Sequence, residues 1–194
     1  MLYTLAHKIQ HYFPWIWEMI EDINSWLFAI RYGHRLKGHE KMLEGLHDDY
    51  IVREATIDDA KMMEHFFDQQ SEYNLRFFHP HKFDATSLLK LLKRRSMLMY
   101  LVCDKEGGMV GYFFIRCFFI GKGFRGYIVD ERQQKRGIGK LMGKGFAVVC
   151  QALQFPTYKT ISKDNPASLA LAHAVCEVEV LEELPNNELY IRCN

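Results

Sequence analysis

The stretch 130–140, DERQQKRGIGK, constrains the fold more than any other part of the sequence, because it joins a strand pattern to a helix pattern. Before it, residues 124–129 end in a β-favouring run of Tyr, Ile and Val. After it, apolar residues recur at helical spacing from 138 to 153. The loop therefore lies at a helix N-terminus, where the first amides lack intrahelical partners and the peptide dipoles sum to partial positive charge. Such a position favours an anion.

Two glycines in this loop, Gly137 and Gly139, have no Cβ that would hold a phosphate away from the backbone, and Arg136 and Lys140 add cations around the same turn. The spacing disfavours two common nucleotide sites. A dinucleotide fingerprint starting at Gly137 needs a third glycine where Met142 stands, and a P-loop needs Ser or Thr directly after Gly–Lys. The loop is thus a candidate phosphate site of another kind.

The segment 134–139, QKRGIG, resembles the Q/R-x-x-G-x-G/A motif of the GCN5-related N-acetyltransferases, the GNAT family. The resemblance implies that the loop amides hold the pyrophosphate of acetyl-CoA, the cosubstrate of that family. It also implies a bulge in the preceding strand that turns a backbone N–H near Ile128 and Val129 toward the thioester carbonyl. The residues expected to bind the cofactor are Ile128, Val129, Gln134, Lys135, Arg136, Gly137, Ile138, Gly139, Lys140, Asn165 and Ser168.

A second part of the chain resembles the family's other signature, an asparagine ahead of a short helix. Asn165 is placed to cap a helix whose first turn contains Pro166. Members commonly continue as N-x-x-A/S-x-x-L-Y-x-x-x-G-F, and Ser168 and Leu171 agree with that pattern. The resemblance covers about residues 50–194.

The chain departs from this signature where the chemistry is expected. Ala172 stands in place of the tyrosine that, by resemblance, protonates the leaving thiolate, and residues 176–177 are Cys–Glu instead of Gly–Phe. His173 is the candidate proton donor because histidine titrates near neutral pH, with a surface or core histidine as the alternative. Asp130 and Glu131 could act as a general base through water, or could simply be partners of the helix dipole.

The patterns predict an α+β fold with a mixed, mostly antiparallel central sheet flanked by helices. Strand-like runs at 97–103, 109–119 and 124–129 are joined by short turns, which predicts antiparallel neighbours. The run 158–161 follows a helical crossover, so it should lie parallel to 124–129. A splayed parallel pair leaves a crevice at its carboxyl ends, where the resemblance places the pantetheine arm.

Residues 1–48 form a predicted helical extension that precedes the GNAT-like domain at 50–194. Acidic residues interrupt its apolar stripe, which excludes a membrane-spanning helix. The stripe could pack on its own domain, pair with a second subunit in a homodimer, or lie on a membrane surface. It comprises Phe13, Trp15, Ile16, Trp17, Met19, Ile20, Ile23, Trp26, Leu27 and Ile30.

The loop 73–83 falls where the family forms part of its acceptor pocket. Phe77, Phe78, His79 and His81 are therefore candidate substrate-binding residues, although so dense a group could also plug the core beneath the loop.

Composition narrows the class of partner. The chain has 25 Lys and Arg against 24 Asp and Glu, a formal charge of +1, which argues against a nucleic-acid binder. Five cysteines without a C-x-x-C pair predict buried thiols, no structural zinc or other metal, and a reducing cytoplasm. No secretory signal is expected at the N-terminus.

The sequence as a whole predicts an acetyl-CoA-dependent N-acetyltransferase that acts on a small amine by direct attack on the thioester. An amino sugar is one candidate acceptor. The alternatives are a non-catalytic CoA-binding regulatory or complex-forming module, favoured by Ala172, and a membrane-surface or complex-forming subunit that acts chiefly through residues 1–48.

Overall fold

The computed structural model describes residues 14–193. Its helices are α1 (Pro14–Tyr32), α2 (His39–Glu44), α3 (Ala60–Asp68), α4 (Glu72–Leu75), α5 (Ala85–Leu92), α6 (Ile138–Leu153) and α7 (Pro166–Val175). Its strands are β1 (Ile51–Glu54), β2 (Met97–Cys103), β3 (Met109–Phe118), β4 (Lys122–Val129), β5 (Thr157–Ser162), β6 (Val178–Leu184) and β7 (Glu188–Cys193). Short 3₁₀ turns lie at Gly33–Leu36, Ile57–Asp59 and Glu131–Gln133.

The strands form one seven-stranded sheet in the order β1-β2-β3-β4-β5-β7-β6. Its one parallel pair is β4 with β5, and the other neighbours are antiparallel. The predicted mixed α+β sheet with flanking helices is therefore confirmed. Helix α3 ends at Asp68, and a separate short helix, α4, follows it.

Helices cover both faces of the sheet, so β2 is buried along its whole length and reads as an uninterrupted apolar run. One core lies between the sheet and α6, and includes Phe113, Phe146 and Val149. The other lies between the sheet and α3 and α5, and includes Phe67 and Leu88. A smaller cluster joins α7 to the β5–β7 edge.

The described part of the N-terminal extension packs on the domain. Phe28 and Tyr32 of α1 and Leu43 of α2 belong to the core that contains α6. Near its middle, α1 is fastened to the end of β3, because Asn24 accepts a hydrogen bond from the Phe119 N–H and donates one to the carbonyl of Cys117. Phe13, the first residue of the stripe, and the part of the extension that precedes it lie outside the described residues.

Candidate functional site

The parallel strands β4 and β5 separate soon after they begin. They pair only at Gly123 with Thr157 and at Phe124 with Tyr158, and beyond these residues they diverge. The gap opens into a cavity of about 1000 Å³, lined by both strands, the N-terminal turn of α6, the first turns of α7 and residues 74–80. The predicted crevice at the carboxyl ends of the parallel pair is therefore present.

The backbone of β4 presents unpaired amides to this cavity. The Asp130 N–H donates to the carbonyl of Val110 on the β3 side, whereas the Gly123 N–H donates to Pro156 on the β5 side. Because backbone groups alternate along a strand, Tyr127 and Val129 turn their N–H groups toward the diverged β5, and Ile128 bonds to β3. Of the two residues predicted to polarise a carbonyl, only Val129 has its amide on the crevice side.

The bulge expected in this strand is not present in its pairing with β3. The register runs from Gly111↔Val129 to Phe118↔Lys122 without a shift. That expectation was wrong, because the separation of β5 alone frees the β4 amides and no extra residue is needed to expose them.

The loop that follows β4 forms a cradle at the start of α6, which we define as residues 134–140. Gly137 caps the helix with φ 84°, and Lys135 also has a positive φ of 63°. A Cβ on Gly137 would meet no atom within 4 Å, so the residue is open to the cavity. The N–H groups of Ile138, Gly139 and Lys140 fall in the first turn, where helices leave amides without intrahelical acceptors.

The second glycine of the motif, Gly139, also packs closely against the next helix. A Cβ on Gly139 would lie 2.8 Å from a methyl of Leu171, and one on Gly143 would lie 2.4 Å from Val175. These glycines therefore let α6 approach α7 closely. Only Gly137 is required by its backbone conformation and faces open space.

Asn74 of α4 joins the cradle to the end of β4. Its Nδ2 donates to the carbonyl of Val129 at 3.0 Å and to Gln70 at 2.8 Å, and its Oδ1 accepts from the side chain of Gln134 at 3.0 Å. The only polar group of Val129 that this contact uses is the carbonyl, so its N–H keeps facing the crevice. Asn74 thus positions both the strand end and the cradle.

Three polar side chains from different elements meet inside the cavity. The Ser168 hydroxyl of α7 lies 3.1 Å from the Tyr127 hydroxyl of β4 and accepts a hydrogen bond, also 3.1 Å, from Nζ of Lys159 on β5. The Lys159 ammonium also sits 4.4 Å from the centre of the Tyr127 ring. We call Tyr127, Ser168 and Lys159 the polar triad.

Burial changes the acidities within the polar triad. Desolvation, with the charge of Arg125 as a second cause, lowers the pKa of Lys159 from 10.5 to about 8. Desolvation also raises the pKa of Tyr127, so its phenol remains a neutral O–H donor near neutral pH. The triad thus contains a neutral hydroxyl joined through serine to a cation that titrates close to physiological pH.

The apex of the crevice, just beyond the last β4–β5 pair, holds Arg125. This buried guanidinium stacks 4.8 Å from the centre of the Phe146 ring and contacts the sulfur of Cys176 at 2.8 Å. A hydrogen bond with Cys193, followed by the charge of Arg125, lowers the pKa of the Cys176 thiol. Cys176 stands where the family pattern has glycine, so its sulfur is the partner that this chain gives to Arg125.

On the opposite wall, the predicted acceptor residues divide into two groups. Phe77, Phe78 and His79 line the cavity. His81 does not line it and lies in the aromatic cluster beneath the loop, where Nε2 bonds to the Tyr112 hydroxyl at 3.0 Å and burial lowers its pKa. His81 therefore has the core-filling role that was the alternative for this loop.

Most of the remaining predicted cofactor residues also line the cavity, with Arg136 as the exception. Arg136 is exposed and does not line the cavity. Those that line it are Ile128, Val129, Gln134, Lys135, Gly137, Ile138, Gly139, Lys140, Asn165 and Ser168. Asn165 caps α7 by accepting from the Ser168 N–H, as the sequence predicts.

The predicted acid and base candidates are not brought to the cavity. His173 lies on the exposed face of α7, whereas Ala172 is buried against the β5–β7 edge. Asp130 is paired with the Arg132 side chain, and Glu131 accepts a hydrogen bond from Ser71. Both carboxylates hold the loop together, so neither points to a reacting group.

Sequence reasoning missed the polar triad except for Ser168. The alternation of β4 carries a usable signal, since Arg125, Tyr127 and Val129 share one face of a strand that leads into the cradle. Lys159 is a lone cation in the run TYKTIS, a second signal, because a buried lysine is rare unless it has a role. Whether the side chains of the triad come together depends on the separation of β5 from β4 and on the position of α7. No local sequence pattern reports either.

Within residues 14–193, no group of three or more metal-binding side chains is close enough to hold an ion. Over the same residues, no helix is both long and apolar enough to cross a bilayer.

No protein-family model and no curated protein sequence matches the chain. Solved structures do match. The GNAT domain of S. lividans PAT superposes with a TM-score of 0.64 at 13% identity, covering 74% of this chain and 89% of its own. A PaiA N-acetyltransferase from Thermoplasma acidophilum, in complex with coenzyme A, gives 0.61 at 10% identity, covering 76% and 99%.

A third similar structure is a chimera of the spermidine N-acetyltransferase SpeG from Vibrio cholerae and hSSAT, with a TM-score of 0.58, 13% identity, and coverage of 75% and 95%. The sheet order, the single splayed parallel pair and the cradle at α6 agree with these likenesses. The described chain therefore has the fold of the GCN5-related N-acetyltransferases.

Proposed function

We propose that this protein is an acetyl-CoA-dependent N-acetyltransferase. One observation carries the proposal, namely that the unpaired amides of β4 lead directly into the helix cradle along the wall of a single cavity. A thioester carrying a pantetheine arm and a pyrophosphate needs both features. The similar structures include one in complex with coenzyme A, which supports the assignment of this cavity.

The cradle would hold the pyrophosphate. Amides of residues 138–140 supply donors, the helix dipole supplies partial positive charge, and Lys135 and Lys140 line the same end of the cavity. The N–H groups of Tyr127 and Val129 would bond to the amide-containing arm in place of the missing β5 partner. Acetyl-CoA supplies the activated acyl group, and this chain supplies its orientation.

The polar triad would protonate the leaving thiolate. Acyl transfer to an amine needs a proton for the departing sulfur, and the tyrosine expected at 172 is replaced by a buried alanine. Tyr127 offers a neutral hydroxyl inside the cavity, and Lys159 can return a proton to it through Ser168. The triad thus occupies the role that the family pattern assigns to α7.

The charged side chains that line the cavity indicate which class of acceptor amine it would suit. Among the described residues, the lining contains a single carboxylate, Glu188, and aromatic side chains that include Phe77 and Phe114. A polyamine would meet strong repulsion along this wall, whereas a small amine with a single charge, such as an amino sugar, would meet less. The cations that line the cavity are Arg76, Arg116, Arg125, Lys135, Lys140 and Lys159.

The five cysteines of the chain are all free thiols, which supports the proposed reducing, cytoplasmic setting.

The test combines binding with turnover. Acetyl-CoA should raise the melting temperature, and thiol release should be measured with amino sugars, amino acids and spermidine as acceptors. We expect release with an amino sugar at a kcat/KM at least tenfold above that with spermidine. Preference for spermidine would refute the acceptor class but leave the acetyltransferase proposal intact.

A second function, a non-catalytic CoA-binding module, is favoured by one observation, the buried alanine at position 172. Binding of acetyl-CoA without thiol release for any amine of the panel would establish it. No binding of CoA at all would overturn both proposals.

A further inference from the structure

Helix α1 exposes a continuous apolar stripe on the side that faces away from the domain. Six large side chains on it are each between 42% and 65% exposed, a pattern that a surface helix normally buries. We propose that this stripe pairs with the same stripe of a second copy of the chain. The six side chains are Trp15, Met19, Ile20, Ile23, Trp26 and Ile30.

The stripe is free because α1 docks on the domain partly through its polar residues. Glu18 binds Lys90 at 3.1 Å, Asp22 binds Arg94 at 2.9 Å, and Glu21 is paired with Arg116. With Asn24 and Ser25, these residues contact α5 and the ends of β2 and β3. Glu21, Asn24 and Ser25 are buried against the domain, whereas the six apolar side chains of the stripe are left exposed.

The spacing of the stripe is that of a helix–helix seam. Met19, Ile23, Trp26 and Ile30 of the stripe follow one another in steps of four and three residues. The partly buried Ile16 precedes them, so isoleucine recurs at every seventh position. A strict seven-residue repeat is what another helix requires, because it keeps one seam facing the partner. A lipid surface requires only a broad apolar face.

The exposed area of the stripe is large enough for a dimer interface. The six exposed side chains offer on the order of 600 Å² per copy, and a two-fold contact would bury about twice that, near the lower limit of specific interfaces. A two-fold axis also places each stripe on an identical one, so no second complementary surface is needed.

The charges near the stripe disfavour an anionic membrane. Described residues of α1 include three acids and one cation, Arg31. Arg31 donates to the carbonyl of Phe119 at 3.1 Å, and Arg35, just beyond the helix, donates to that of Leu153 at 2.8 Å. These two cations near the stripe are therefore engaged by backbone carbonyls of the domain, whereas Lys37 and Lys41, further along the extension, are exposed.

Sedimentation equilibrium of the full chain tests the proposal. We expect wild type at twice the 22.9 kDa chain mass. Ile23→Glu and Trp26→Glu should each raise the dimer dissociation constant at least ~100-fold, because a charge at the seam loses its water in both copies. Met42→Glu is the matched control, since Met42 is 54% exposed on α2 and lies off the stripe, and this variant should remain dimeric.

The circular dichroism spectrum should be the same for all three variants, because the replaced side chains are exposed in the single chain. A monomeric wild type at micromolar concentration would overturn the proposal, as would dissociation by Met42→Glu to the same extent. The proposal would also be overturned if the wild type were a monomer that binds vesicles of phosphatidylcholine and phosphatidylglycerol and the Ile23→Glu variant lost that binding. That result would show that the stripe binds lipid.

Discussion

The cradle and the polar triad lie in the same cavity but are built in opposite ways. The cradle consists of consecutive residues, 134–140, and presents backbone amides at the start of one helix. The triad consists of single side chains on β4, β5 and α7, joined by two hydrogen bonds of 3.1 Å. Its geometry depends on where the sheet splays and on how closely α7 approaches.

This contrast explains why one site can be read from the sequence and the other cannot. A backbone site needs only the local turn, so a short motif is enough to predict it. A side-chain site can move to another element if the new group reaches the same volume. Here the hydroxyl expected on α7 at position 172 is absent, and Tyr127 on β4 offers one instead.

The largest expected effect is on kcat, and it distinguishes the polar triad from the cradle. Tyr127→Phe removes one hydroxyl and leaves the ring, so kcat should fall by roughly 10²–10⁴-fold if that hydroxyl is the proton donor. The dissociation constant for acetyl-CoA should change less than threefold, because the cradle is untouched. Steady-state kinetics and calorimetry measure the two quantities.

Tyr190→Phe is the control, since Tyr190 is a partly buried tyrosine on β7 whose ring stacks with Phe124 and Tyr158. It should keep near-wild-type kcat. Equal loss in both variants would show that any missing phenol perturbs the fold, and full activity of Tyr127→Phe would remove Tyr127 from the chemistry.

The second-largest effect is expected from a substitution in the cradle that leaves the polar triad unchanged. Gly137→Asp puts a carboxylate into the space assigned to the pyrophosphate, so the stabilisation by acetyl-CoA, about 2.7 kcal/mol at a hundredfold excess over Kd, should disappear. Thermal unfolding with and without ligand measures it.

Gly107→Asp provides a closely matched control. Gly107 has φ 87° against 84° for Gly137, and a Cβ at either position meets no atom within 4 Å. The two variants therefore carry the same backbone strain, and only the one in the cradle should lose the ligand shift. Loss of the shift in both, or in neither, would contradict the assignment of the cradle.

The third prediction concerns pH. The acceptor amine must be neutral to attack, so activity rises with pH, whereas Lys159 must hold its proton to serve the triad. Its pKa is lowered to about 8 by burial, so kcat should decline as pH rises through that value. Lys159→Arg keeps the charge at all accessible pH, and the alkaline decline should vanish even if the rate itself falls. An unchanged alkaline limb in Lys159→Arg would exclude Lys159 as its source.

Much of the fold could be predicted because its signals are local. The strand–loop–helix around 130–140, the crossover that makes β4 and β5 parallel, and the Asn165 cap all follow from short patterns. The role of Gly139 could not be predicted, because it depends on Leu171 of another helix. The division between His79, in the cavity, and His81, in the core, depends on which side of one loop each faces.

The smallest expected effect belongs to His173, the proton donor that the sequence offered. It is exposed on α7 and lies outside the cavity lining, while its neighbour Ala172 is the residue that turns inward. One step along a helix rotates a side chain by about 100°, which is enough to take an imidazole out of reach of a group that position 172 would face. His173→Gln should therefore change kcat less than twofold, with no shift in the pH profile. Comparison with Tyr127→Phe tests which residue donates the proton. A large loss of kcat in His173→Gln, with full activity in Tyr127→Phe, would assign the proton donor to α7. It would also require that helix to rotate when acetyl-CoA binds.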